Sequence, residues 1–204
     1  MNTLKHVLNC TTAALGATLA LSACGQASEE EEQYNEADVH FAQMMIPHHE
    51  QAVEMADLAD DRAGAEVGEL SEEIRDAQGP EIEQMQQMLQ DWGEDSGEDM
   101  DHSDMAGMLS EEQMQELGAS EGEEFDTLFL ELMIEHHEGA VDMSETVLEE
   151  GSSPEAGELA EEITETQDEE IEQMHLMLGH EPSDDNDDAD DDTEEEGADG
   201  HEDH

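Results

Sequence analysis

Residues 44–56, MMIPHHEQAVEMA, return at 132–144 as LMIEHHEGAVDMS, and the match runs well beyond that motif. Residues 41 to 93 align with 129 to 180 at an offset of 88 through the histidines and 89 after a one-residue gap. GELSEEI (68–74) pairs with GELAEEI (157–163), and EIEQMQQML (81–89) with EIEQMHLML (170–178). A chain written twice folds as two copies of one supersecondary unit whose apolar faces cover each other. Each copy holds two stretches of helical period separated by a polar, Gly-containing turn, which predicts a helical hairpin. Two hairpins predict an all-α protein, an antiparallel four-helix bundle.

Helix ends carry physical markers. Ser120 with Glu123 spells a capping box at the start of the second hairpin, and Ser153 with Pro154 an N-cap followed by a first-turn proline. Ser110 with Gln113 opens a short helix through Leu117, and Gly93 and Gly179 follow the last helical residues of the two hairpins. Gly79-Pro80 falls inside the second helix of the first copy, where proline removes a hydrogen bond and predicts a bend. The register through Ile74, Gln78, Ile82, Met85 and Leu89 still keeps that helix one element. The hairpins occupy 36–93 and 120–180, joined by a linker over 94–119.

The first 23 residues read as a signal peptide, with Lys5 as a minimal positive region, an apolar run from Val7 to Leu21, and LSAC at its end. Leu21-Ser22-Ala23-Cys24 resembles a bacterial lipobox, which implies lipidation of Cys24 and an extracytoplasmic protein anchored to the membrane; ordinary cleavage leaving a free thiol is the plainer alternative. Cys10 leaves with the signal, so metal ligands must come from His, Met, Asp or Glu. Residues 24–35 read as an acidic tether and 181–204 as a disordered acidic tail, both too poor in apolar surface to pack.

All 62 Asp and Glu follow Cys24, against Arg62 and Arg75 alone, which leaves 60 net negatives on the mature chain. Such a field repels nucleic acid and anionic lipid head groups. The acids are spread over every polar face rather than gathered in an EF-hand pattern, which favours a halophilic adaptation over cation capture.

On a helical wheel Phe41, Met44, Met45, His48, Ala52, Met55 and Ala59 form one stripe, with His48 near its middle and His49 on its margin. Phe129, Leu132, Met133, His136, Ala140 and Met143 repeat it, with His137 at the edge. His48 and His136 are therefore expected to face a common core, beside Met85, Met88, Met174 and Met177, as a two-part soft site. Methionine at helical spacing is ordinarily a gap-filler. Burying two imidazoles costs free energy unless their nitrogens are satisfied, which a metal does directly. Thioether suits Cu(I), and imidazole suits copper, zinc or iron. The linker holds a second soft cluster, Met100, His102, Met105 and Met108, spaced to wrap one ion.

A carboxylate-bridged di-iron site needs Glu-x-x-His on two helices, and only Glu172–His175 offers it. Zincin and phosphate-loop motifs are absent, and no catalytic constellation or organic cofactor site is evident. The histidine motifs, the loop MDHSDMAGMLSEEQMQEL and the repeated Q-x-x-E-I-x-x-M resemble the domain-of-unknown-function 305 family over roughly 36–180. That resemblance implies a ferritin-like bundle, an extracytoplasmic location and, in some members, copper binding through Met and His. Carried onto this chain, it points to His48, His49, Met55, His136, His137 and Met143, with Met44, Met45 and Met133 as neighbours. The expected function is a lipid-anchored, non-enzymatic protein that buffers or sequesters copper. A metal-free helical interaction module is the alternative, and a metal-dependent oxidoreductase a weaker one. Oligomeric state is not legible.

Overall fold

A computed structural model describes residues 33–97 and 105–179. Within them the protein is all-helical: α1 (Glu36–Arg62), α2 (Ala65–Trp92), α3 (Glu111–Ala119), α4 (Glu123–Glu150) and α5 (Pro154–Met177), with no strand among the described residues. The signal sequence, Cys24, most of the tether, Met100, His102 and the acidic tail lie outside the described residues.

α1 packs on α2 and α4 on α5, and the two hairpins meet chiefly through α1 and α4. The duplication shows in how they interlock. Asp38, fully buried near the start of α1, accepts hydrogen bonds from the backbone N–H groups of Ser152 and Ser153 in the α4–α5 turn. Its counterpart 88 residues on, Asp126 near the start of α4, accepts from the N–H of Gly64 in the α1–α2 turn. Each hairpin thus uses one carboxylate to satisfy orphan donors at the other's turn. With Asn35 Nδ2 on the Glu150 carbonyl and Gly122 N–H on the Arg62 carbonyl, these bonds place α1 and α4 antiparallel.

Several helix ends follow their local chemistry. Ser153 caps α5 through the Ala156 N–H with Pro154 in the first turn, Ser110 and Gln113 form the capping box of α3, and Gly93 closes α2 in the left-handed region at φ 77°. The capping box expected at Ser120 is not formed. Ser120 ends α3, its hydroxyl bonded to the Leu117 carbonyl, and α4 begins at Glu123 after Gly122, an N-cap position with no side-chain cap. α2 continues unbroken through Pro80, and α1 likewise contains Pro47.

The core divides along the helices into two apolar clusters. One takes Ala52 to Ala59 of α1, Val67 to Ile74 of α2, Phe125 to Ile134 of α4 and Met174 of α5, covered by Leu117 of α3. The other takes Phe41 to Ile46, Met85 to Leu89, Ala140 to Val147 and Ala156 to Ile163. In each long helix a short polar stretch lies between the two: His48-His49, Gln78 to Glu81, His136-His137, and Gln167 to Glu170. Antiparallel packing stacks those stretches into one layer across the middle of the molecule.

Candidate metal centre

The layer holds four fully buried imidazoles. Sequence periodicity puts His49 and His137 at the margin, but both are as buried as His48 and His136, because α2 and α5 close over that side of their partner helices. The rings of His48 and His136 meet across the α1–α4 contact with centroids 3.7 Å apart and planes tilted by 33°. Their meeting was expected from the stripe.

Each remaining histidine pairs within its own hairpin. His49 Nε2 lies 2.6 Å from Glu81 Oε2, and His137 Nε2 lies 2.6 Å from Glu170 Oε2. His48 Nε2 lies 3.2 Å from the Ala106 carbonyl oxygen, in the linker. A carbonyl only accepts, so His48 carries its proton on Nε2 and its Nδ1 is a bare lone pair. The Nδ1 atoms of His48, His49 and His137 are buried without a partner, and His136 has no hydrogen bond at either ring nitrogen. Gln78 and Gln167, counterparts in the two copies, add unpartnered buried amide atoms beside them.

Burial sets the charge states. It pushes His48 down to about 3, helped by His49, and His49 down to about 3, helped by His137. His136 falls well below its ordinary value, by burial first and then by His48, His137 and His49; the nearby His48 backbone opposes this weakly. Burial and the neighbouring Glu170 carboxylate push Glu81 up to about 7. Neutral imidazoles are what a metal needs, since a protonated ring has no lone pair to give. Hydrogen bonding at one nitrogen, leaving the other open, is the usual arrangement of a metal-bound histidine.

The donor set is not a finished cage. Among the described residues no three His, Cys, Asp or Glu side chains are disposed to hold one ion. The soft donors near the layer are thioethers, and the structure sorts these by cluster. Met55, Met133 and Met174 lie buried on one side of the layer; Met45, Met85 and Met88 lie buried on the other, with Met143 half-buried against them. Met44 is half-buried, and Met177 packs partly buried against the first cluster. The methionines therefore flank the histidines in two groups rather than lining one pocket with them. Of the linker cluster, Met105 and Met108 are half-buried.

Glu81, Glu170 and Ala106 are not among the candidate ligands read from the sequence, where the two glutamates stand only as part of the repeated Q-x-x-E-I-x-x-M. The repeated Gln-x-x-Glu at 78–81 and 167–170 was the available signal for the two carboxylates.

The linker reaches the layer because two counterpart positions hold it. Gln51 accepts from the Leu109 N–H at 2.7 Å and donates to its carbonyl at 3.0 Å. At the matching position of the second copy stands Gly139, where a Cβ would come within 2.3 Å of the Ala106 carbonyl oxygen. A Cβ at Gly107, whose φ is 75°, would come within 2.7 Å of the His136 carbonyl oxygen and 2.8 Å of that of Glu135. Gly139→Ala is therefore expected to lift residues 105–109 off α4 and break the His48–Ala106 bond, at a cost of about 2 kcal/mol or more. Amide exchange of the Leu109 N–H checks this; protection equal to that of the parent would contradict the close packing.

The family model for a domain of unknown function, DUF305, matches residues 38–178. A DUF305 protein of Streptomyces coelicolor superposes with TM-score 0.66 at 34% identity, over 70% of this chain and 91% of that one. A DUF305 fragment of Deinococcus radiodurans gives TM-score 0.67 at 36% identity, over 71% and 97%. CopM in its Cu(I)-bound form gives TM-score 0.58 at 29% identity, over 70% and 95%, and CopM is also described in Cu(II)-bound and Ag-bound forms. No curated protein matches the chain.

Proposed function

The chain belongs to the DUF305 family, and from that premise we propose that it is an extracytoplasmic copper-binding protein, held to the membrane by a lipid at Cys24, that buffers or sequesters the ion without catalysis. The observation that carries this reading is the set of buried imidazoles whose Nε2 atoms are engaged and whose Nδ1 atoms are not. A bound copper ion would supply the missing partner for those lone pairs. Imidazoles of the layer, no more than two of them to one ion and His48 and His136 foremost, would hold it, with flanking thioethers such as Met55, Met133 and Met45 able to complete a soft coordination set. Glu81 and Glu170 fix the orientation of His49 and His137, and burial excludes water and keeps His48, His49 and His136 neutral across the neutral pH range.

The Cu(I)-, Cu(II)- and Ag-bound forms of CopM support a copper reading, and the Streptomyces coelicolor relative is described as secreted, which supports an extracytoplasmic location. In this reading the hairpins at 36–93 and 120–180 form a ferritin-like antiparallel four-helix bundle, and the residues before and after serve as tether and acidic tail. Met100, His102, Met105 and Met108 form a separate capture site in the linker. The high acidity belongs to a halophilic surface, not to the site.

A metal-free interaction module is favoured by one observation: the two 2.6 Å His–Glu pairs already satisfy part of the layer internally. Equilibrium dialysis of the mature chain against Cu(I), Cu(II) and Zn(II), with bound metal counted by elemental analysis, separates the readings. Retention of Cu(I) in preference to Zn(II) is expected. No retained copper would leave the interaction module standing.

A further inference from the structure

The repeat relates the two ends of the molecule, and at one end the relation breaks. An open groove of about 410 Å³ lies between the first turns of α1 and the last turns of α4, lined by Glu36, His40, Met44, Met143 and Glu150 over the buried ring of Phe41. Glu36, His40 and Met44 follow one another at four-residue steps, so they stand on one face of α1, and Met143 and Glu150 lie two turns apart on α4.

Moving 88 residues along the chain gives the counterpart surface at the opposite end. There His40 becomes Leu128, Met44 becomes Leu132 and Glu150 becomes Arg62, while Met55 stands for Met143. That end is closed. Leu132 and Met55 are core residues, Leu128 and Leu58 pack against the same cluster, Leu117 of α3 is buried in it, and Arg62 Nε bonds the Gly118 carbonyl. At the groove end, His40 is exposed and Met44 and Met143 are half-buried. Core filling does not account for this: leucine is the residue the filled counterpart surface uses, and His40 and Met44 leave the groove open.

We propose that the groove is a second, solvent-accessible soft-cation site, distinct from the buried layer, which takes a monovalent ion such as Cu(I) or Ag(I) on the thioethers of Met44 and Met143 and the imidazole of His40. Thioether sulfur is neutral and polarizable, so it selects a soft monovalent ion over the hard divalent cations that the acidic surface attracts without discrimination. Glu36 and Glu150 at the rim concentrate cations at the opening. The assignment uses none of the four layer histidines and stands whether or not that layer binds metal.

The test is a titration of the full mature chain, carrying 13C-methyl methionine, with Ag(I) as a redox-inert probe. The Met44 and Met143 methyl resonances are expected to shift together as silver binds. The variant His40→Leu/Met44→Leu, which installs the residues found at 128 and 132, is expected to lose one bound silver and the Met143 shift while its circular dichroism stays that of the parent. In His48→Leu/His136→Leu the groove shifts are expected to persist, so failure at the layer and failure at the groove read out separately. Met44 and Met143 methyl resonances unmoved at saturating Ag(I) in the parent protein overturn the proposal, as does an unchanged silver stoichiometry in a folded His40→Leu/Met44→Leu variant.

Discussion

Replacing His48 and His136 together by leucine is expected to weaken Cu(I) binding at the buried layer by well over about 100-fold, since loss of supporting groups alone costs about 10–100-fold at metal sites. The metal-free fold should survive. Leucine has similar volume, and the exchange removes unpartnered buried nitrogens while giving up only the His48–Ala106 hydrogen bond. Melting with and without Cu(I) under reducing conditions reads both effects. The parent should gain about 2.7 kcal/mol when free Cu(I) is 100 times the dissociation constant, and the variant should lose the part of that gain which comes from the layer. Glu81→Gln and Glu170→Gln provide a graded comparison. Each keeps the shape of the side chain but removes the carboxylate behind His49 or His137, and each should weaken binding about 10–100-fold rather than abolish it. Equal copper-dependent melting shifts in the parent and the double leucine variant would remove the histidines from the account.

Acid should unfold the metal-free protein through the same residues. Folded His48 and His49 protonate near 3 rather than at 6.5, so between those values the unfolded chain binds protons that the folded chain refuses. Their contribution to stability is thus fully present above pH 6.5 and is lost as pH falls toward about 3, and His136 acts in the same sense. Glu81 has the opposite sign. Raised from 4.5 to about 7, it favours the folded state below pH 4.5, and that contribution disappears as pH rises through about 7. From 6.5 down to 4.5 the carboxyl offsets one histidine; below 4.5 the histidines act alone. Each histidine replaced by leucine should flatten the dependence of stability on pH by about 1.4 kcal/mol per unit over the range from about 4 to 6. Urea midpoints across that range, with chelator present and in molar salt to screen the surface carboxylates, measure the slope. Parallel slopes for the parent and His48→Leu/His136→Leu would show that these rings are not buried neutral.

Helical period and duplication made the four long helices and the meeting of His48 with His136 readable in advance, because both follow from spacing within one helix and from one copy matching the other. What spacing cannot give is which side of a helix a partner covers. His49 and His137 looked marginal because a wheel knows only its own axis, whereas Glu81 and Glu170 of the partner helices bury them. Ser120 has the residue type of an N-cap, but its hydroxyl is taken by the end of the short α3 immediately before it. The contact of Ala106 with His48 left no periodic trace at all. It depends on Gln51 and Gly139, counterpart positions with unlike residues that together hold the linker against both hairpins. The methionine stripe was legible as a stripe, but its division into two groups follows from the antiparallel pairing of α1 with α4.

The central claim is that the open Nδ1 atoms of the buried histidines are ligands, with Nε2 held by Ala106, Glu81 and Glu170. Long-range proton–nitrogen correlation spectra of the 15N-labelled mature chain distinguish the two ring nitrogens directly. On addition of Ag(I) or Cu(I), the Nδ1 resonance of His48 is expected to move to the range of a metal-bound nitrogen while its Nε2 stays protonated, with His49, His136 or His137 moving alongside it. Saturating metal that shifts methionine methyl resonances but leaves all four buried rings unchanged would contradict the account.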